Sequence, residues 1–156
     1  MTLVEVNLSM VIIGMVAVTL ASLYTTANRS ADKSVNVTRA MYLAMSLMEE
    51  IHGRRWDENT NGSISSTLGV DAGENATNKT TFDDVDDFNG YVESSIQYPA
   101  GAAMTGYTGF SRDVAVAFLD ANNGVSASTT TRKRVTVTVK KSGQTLVTLH
   151  DMFSQM

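Results

Sequence analysis

The sequence predicts an α+β protein, in which one long N-terminal helix packs on a C-terminal antiparallel sheet of about four strands. Three observations carry this. Residues 1–24 (MTLVEVNLSMVIIGMVAVTLASLY) form an almost uninterrupted apolar run. Apolar residues then recur at three-to-four spacing up to Ile51, and after Tyr91 the alternation changes to period two.

The helix comes first. Val6 to Tyr24 is nineteen residues, which as a helix rises roughly 28 Å, close to the about 30 Å of a bilayer's hydrocarbon layer. No proline or glycine lies between Ala27 and Ile51, and Val37, Ala40, Met41, Ala44, Leu47, Met48 and Ile51 share one face. The two halves read as one helix from Thr2 to His52, with Gly53 as its stop. Gly14 is the weak link of the apolar half, at about 1 kcal/mol relative to alanine. The organisation expected is an apolar helix half over residues 1–26 and a globular domain over 27–156. Within that domain lie an amphipathic helix half (27–53), a loop region (54–90) and a sheet (91–156).

Four strands are expected in the sheet. Tyr91 to Tyr98 ends at the only proline, Pro99, and Arg112 to Leu119 follows a glycine-rich connection. Arg134 to Lys140 alternates cleanly, turns through Lys141-Ser142-Gly143 and returns as Thr145 to Phe153. Sequential strands favour an antiparallel sheet whose one face covers the helix stripe.

Composition bounds the function. The 156 residues, 43% hydrophobic, suit one domain plus an anchor. A net charge of −4 gives no general attraction to nucleic acid. Zero cysteines exclude disulfides, thiolate metal sites and cysteine nucleophiles. His52 closes the helix and His150 lies in the last strand, and neither belongs to a recognisable catalytic motif, so the chain reads as a non-enzyme.

Glu5 is the informative residue. A carboxylate at the edge of an apolar run is costly unless a cation meets it, and the nearest candidate is an N-terminal amine. A helix does not bend its first residue back onto its fifth, so the amine of a neighbouring copy is the better partner. The flanks add to this. No Lys or Arg precedes the run, and the first cations after it are Arg29 and Lys33. The positive-inside rule would then leave the rest of the chain cytoplasmic. Its richness in Thr, Ser, Asn and Gly instead suits an exported domain. A removed basic leader before Met1 reconciles the two; a signal anchor beginning at its initiator Met is the alternative.

Residues 2–6 (TLVEV), followed by an apolar run containing Gly14, resemble the N-terminus of type IV pilins and pseudopilins. EEIHGRRWDENT and FDDVDDFNGY resemble segments of the minor pilins of mannose-sensitive haemagglutinin pili. The resemblance implies the pilin fold and assembly positions at Met1, Thr2, Leu3, Glu5 and Gly14. It implies cleavage by a prepilin peptidase before Met1, N-methylation of Met1, and pairing of Glu5 with a neighbour's amine. The implied partners are a homo-polymeric or mixed pilin filament, the inner membrane before assembly, and the pilus assembly machinery. The destination is an extracellular pilus of a Gram-negative-type bacterium. Met1 stands where the family has Phe, and Ser22 where many members have a helix proline. Any melting of the helix in a filament must therefore begin at Gly14 alone. The family's C-terminal disulfide loop is missing. A type II secretion pseudopilin and a non-polymerising, membrane-anchored module for calcium or a glycan are the alternatives.

The remaining clusters have local readings. Asp83, Asp84, Asp86, Asp87 and Asn89 read first as a solvated acidic turn and second as a calcium site, although the spacing is not that of an EF-hand. Asp120, Asn122 and Asn123 before Gly124 read as a turn. Arg54, Arg55, Arg132, Lys133 and Arg134 read as surface cations facing acidic loops such as Asp83–Asp87, in exposed pairs worth about 0–1 kcal/mol each. One short basic run does not make a nucleic-acid-binding surface, so nucleic acid is not an expected partner. Tyr24, Tyr42 and Trp56 read as packing residues, and Asn75 and Asn78 head two glycosylation-type sequons.

Overall fold

The computed structural model describes residues 2–57 and 67–155. Helix α1 spans Leu3–His52, and four strands follow: β1 Val92–Glu93, β2 Phe110–Phe118, β3 Arg132–Lys141 and β4 Gln144–Ser154. The sheet order is β1-β2-β3-β4 with every pairing antiparallel, as expected of the α+β reading. Two compact units divide the chain, residues 1–38 and residues 39–156.

The first unit is helix alone. From Leu3 to Tyr24 every large apolar side chain is exposed, so no side of the helix is distinguished by burial. It is long and apolar enough to cross a membrane. Its hydroxyls return to their own backbone, which suits an apolar surrounding. Ser9 donates to Glu5 O (2.8 Å), Thr19 to Val16 O (2.8 Å) and Ser22 to Thr19 O (2.8 Å), while Thr25 and Thr26 both donate to Ser22 O. The helix runs unbroken through Gly14 and Ser22.

The second unit holds the core. Ala40, Leu43, Ala44, Leu47, Met48 and Ile51 are buried on one face of α1, while Met41, expected on that face, is exposed. Val114 and Val116 of β2 meet them with Val135, Val137 and Val139 of β3 in the same apolar cluster. Alternation makes this possible, since one face of each strand is buried at every second residue. The loop region contributes as much. Phe82, Phe88 and Tyr91 stack edge-on at 5.0–6.2 Å within the core, around a single 3-10 turn at Asp86–Phe88.

One element departs from expectation. The first strand stops at Glu93 instead of reaching Tyr98, and the chain beyond it pairs with residues 102–104, Tyr98 N donating to Ala102 O and Met104 N to Ile96 O (both 2.8 Å). Lys79 Nζ (3.1 Å) and Arg112 Nη2 (3.0 Å) both donate to Gln97 O in this segment. The helix ends at His52 before Gly53, as expected, although Gly53 does not adopt a left-handed conformation. The chain leaves the helix through Arg55, whose backbone bridges that of Asp84. The final hairpin is as expected. Ser142 (φ 50°) and Gly143 (φ 81°) form its two-residue loop, the geometry that glycine favours there. Leu146 is an extra residue in β4, between the pairs Val139–Val147 and Lys140–Thr145.

Three cations expected at the surface or left unassigned are interior. Lys133, at 0% exposure, pairs with Asp86, donates to Trp56 O (2.8 Å) and sits 4.0 Å over the Trp56 ring. Its neighbours in phase are Val135, Val137 and Val139, so β3 carries it inward with them. Arg112 is 1% exposed in β2, pairs with Glu93 and donates to Leu43 O (3.2 Å) on α1. Lys79, also at 0%, bridges Glu50 (2.9 Å) and Glu93 (3.3 Å). The reading of these basic clusters as exposed pairs is therefore corrected at Lys133 and kept at Arg55–Asp83, whose side chains are about half exposed. Trp56 packs, whereas Tyr24 and Tyr42 are exposed.

Candidate functional site

Two places carry chemistry beyond packing. At the N-terminus, Thr2 and Glu5 cap the helix reciprocally. Thr2 N donates to Glu5 Oε2 (2.7 Å), and Glu5 N approaches Thr2 Oγ1 (3.4 Å). This is the S/T-x-x-E capping box, in which Glu5 takes up the otherwise orphaned Thr2 N while Glu5 N also donates to Thr2 O (3.0 Å). The motif stands plainly in the sequence, and it gives Glu5 a local role beside the expected pairing with another copy. Met1 lies outside the described residues. Leu3 and Gly14 are exposed, and a Cβ added at Gly14 would meet nothing within 4 Å. Glu5 therefore has a local partner and a carboxylate that remains exposed at the mouth of an apolar surface.

The second place is the acidic loop, which is a turn but not a solvated one. Asp84, Asp86 and Asp87 are 1–3% exposed. Their carboxylates divide between separate tasks. Asp84 Oδ1 accepts from Asp86 N (2.8 Å), and Asp86 pairs with Lys133. Burial pushes the Asp86 carboxyl up to about 7, against the pull of Lys133. Asn89 is also occupied, accepting from Val116 N (3.0 Å) and donating to Leu68 O (3.4 Å). Asp84, Asp86 and Asn89 are thus removed from the set of calcium candidates by the partners they already have.

Asp83 and Asp87 remain, and Glu74 joins them. The three carboxylates each place an oxygen within 4.8 Å of the others. Asp87 Oδ2 accepts from Asp83 N (2.9 Å) and Asp84 N (3.0 Å), leaving Oδ1 buried with no hydrogen-bond partner. Asp83 gives one oxygen to Arg55, and its Oδ1 is likewise buried and unpartnered. Glu74 is anchored by a turn in which Asp71 N donates to its Oε2 (3.2 Å). Burial and then the facing Asp87 carboxyl raise Glu74 to about 7. Nothing in the spacing of Glu74 singles it out, since it is one acid in an aperiodic polar stretch.

The other motifs resolve as local structure. Asp120 Oδ1 accepts from Asn122 N and Gly124 N (both 2.8 Å), and a Cβ at Gly124 would lie 2.9 Å from Asp120 Oδ2. That is a turn, as expected. Asn75 and Asn78 each fold their side chain onto the Thr two residues on, with Oδ1 to Oγ1 at 2.8 Å in both sequons. His52 Nε2 lies 2.7 Å from Asp151 Oδ2, and its ring stacks on Phe153 at 4.4 Å. This contact between the end of α1 and β4 has no signature in the sequence.

No family model matches the chain, and no curated protein or solved structure is significantly similar to it.

Proposed function

We propose that the chain is a structural subunit of a type IV pilus, held in the inner membrane by its N-terminal helix and then polymerised through it. The observation that carries this reading is the apolar helix half with one acid at its mouth. Fourteen large apolar side chains between Leu3 and Tyr24 are exposed. Each is worth about 1.5–3 kcal/mol when buried, so together they require lipid or neighbouring helices. In assembly the helix exchanges lipid for other copies. Glu5 neutralises the incoming subunit's N-terminal amine and sets the axial register, and Met1 carries that amine. No catalysis is needed.

The capping box favours a second reading. Glu5 already serves its own helix by accepting from Thr2 N, which is all a non-polymerising membrane anchor would ask of it. Glu5→Gln separates the two, because glutamine keeps the box but loses the charge. The pilus reading expects Glu5→Gln to abolish incorporation into sheared filaments while the chain still accumulates in the membrane fraction. Filament incorporation by Glu5→Gln equal to wild type would overturn it in favour of the anchor.

A further inference from the structure

We propose that Glu74, Asp83 and Asp87 form a calcium site that ties the turn at Asp71–Glu74 to the turn at Asp83–Asp87. The geometry suits one ion. Calcium–oxygen distances of about 2.3–2.6 Å place two ligands of the same ion at most about 5 Å apart, and the three carboxylate oxygens lie within 4.8 Å of one another. Asp87 supplies an independent sign of a missing partner. It is 2% exposed, its Oδ2 is held by two backbone amides, and Oδ1 accepts nothing. A buried carboxylate oxygen without a donor is costly, and Asp83 Oδ1 repeats the situation beside it.

Charge agrees with geometry. Ionised as ligands, the three carboxylates would carry a formal charge of about −3, and the cation paired with them among the described residues is Arg55, through the other oxygen of Asp83. The remaining deficit is that of a divalent ion. The donors are all hard oxygens on loop segments, which suits calcium's flexible coordination better than the strict octahedron of magnesium. Zinc would call for nitrogen or sulfur ligands, which this trio does not supply. Water would complete the shell. The competitor for the site is a proton shared between Glu74 and Asp87, since two facing carboxylates cannot both stay bare. The site stands on the second unit alone and does not depend on polymerisation.

The test uses the full chain in detergent, stripped with a chelator and titrated with calcium chloride by calorimetry, with thermal unfolding in parallel. One saturable site is expected, with a dissociation constant on the order of 10⁻⁴ M, typical of extracellular modules. Calcium at about 10 mM should raise the melting temperature by on the order of 5 °C. Glu74→Gln, which keeps an acceptor for Asp71 N, should weaken binding at least about tenfold while melting near wild type in chelator. Asp83→Asn should do the same, and two variants guard against a fold effect in either. No calcium response in wild type overturns the proposal, and so does undiminished binding in both variants. A rise in the calcium-free melting temperature of Glu74→Gln, with wild type indifferent to calcium, would assign the site to the shared proton instead.

Discussion

The two units of this chain invert each other. In residues 3–24 the apolar side chains lie outside, whereas in residues 39–155 charges lie inside, at Lys79, Arg112 and Lys133. Each arrangement would be wrong in the other's place. Exposed leucines and valines leave an apolar surface that is not covered within the chain. Buried cations with acids already seated on them are charges answered within the chain. The comparison separates two meanings of a hydrophobic pattern, one satisfied within the chain and one left for an environment.

Breaking the buried charges should have the larger effect. Lys133→Ala leaves Asp86 buried without its ammonium, and such half-removed pairs cost about 3–5 kcal/mol. Urea unfolding of the full chain in detergent should show this loss. A change below about 1 kcal/mol would mean that Lys133 is solvated. Replacing Lys133 by Met and Asp86 by Leu together sharpens the point, since the paired change should recover most of the stability.

Next in size is a charge placed on the first unit. Ile12→Arg sits at the middle of the apolar run and should cost about 2.5–3.5 kcal/mol of insertion. Membrane fractionation would register it. The urea midpoint of the globular unit should stay unchanged, and a shifted midpoint would contradict the separation between the two units.

The smallest effect concerns His52 and Asp151, whose side chains are about half exposed. The hydrogen bond from His52 holds the Asp151 carboxyl below its usual range. The unfolded chain then binds the extra proton in acid. The stabilisation is therefore present above the unfolded value of about 3.9 and is lost as pH falls through the lower folded one. His52→Ala should cost less than about 1 kcal/mol near neutrality, and the gap to wild type should close below about pH 4. A gap that stays constant down to pH 2 would mean that the Phe153 stacking, and not the carboxylate, is what His52 supplies.

Much of this fold is legible in the residues. The helix bounds, three of the four strands and the Ser142-Gly143 turn follow from period and turn chemistry. The interior cations are legible too, in the alternation that runs through them. Counting back by twos from Val135 reaches Lys133, and from Val114 reaches Arg112. Charge is usually outside, but here the phase of the strand outweighs that tendency. The Thr2–Glu5 capping box is equally legible, as Thr-x-x-Glu ahead of an apolar run. The shortened β1 and the trio of Glu74, Asp83 and Asp87 were different. They depend on separate segments meeting, the chain after β1 pairing with residues 102–104 and three carboxylates converging on one another, and no local spacing encodes that.

Lys133 has one more consequence, in the currency of information. Val135, Val137 and Val139 are the same residue at every second position, so a strand sliding by two still sets valine on valine over most of its buried face. The apolar pattern is degenerate, and hydrophobicity by itself cannot tell neighbouring alignments apart. Lys133 breaks the symmetry. Only one alignment brings its ammonium to Asp86 and the Trp56 carbonyl, so the buried charge acts less as glue than as the index mark by which β3 is read.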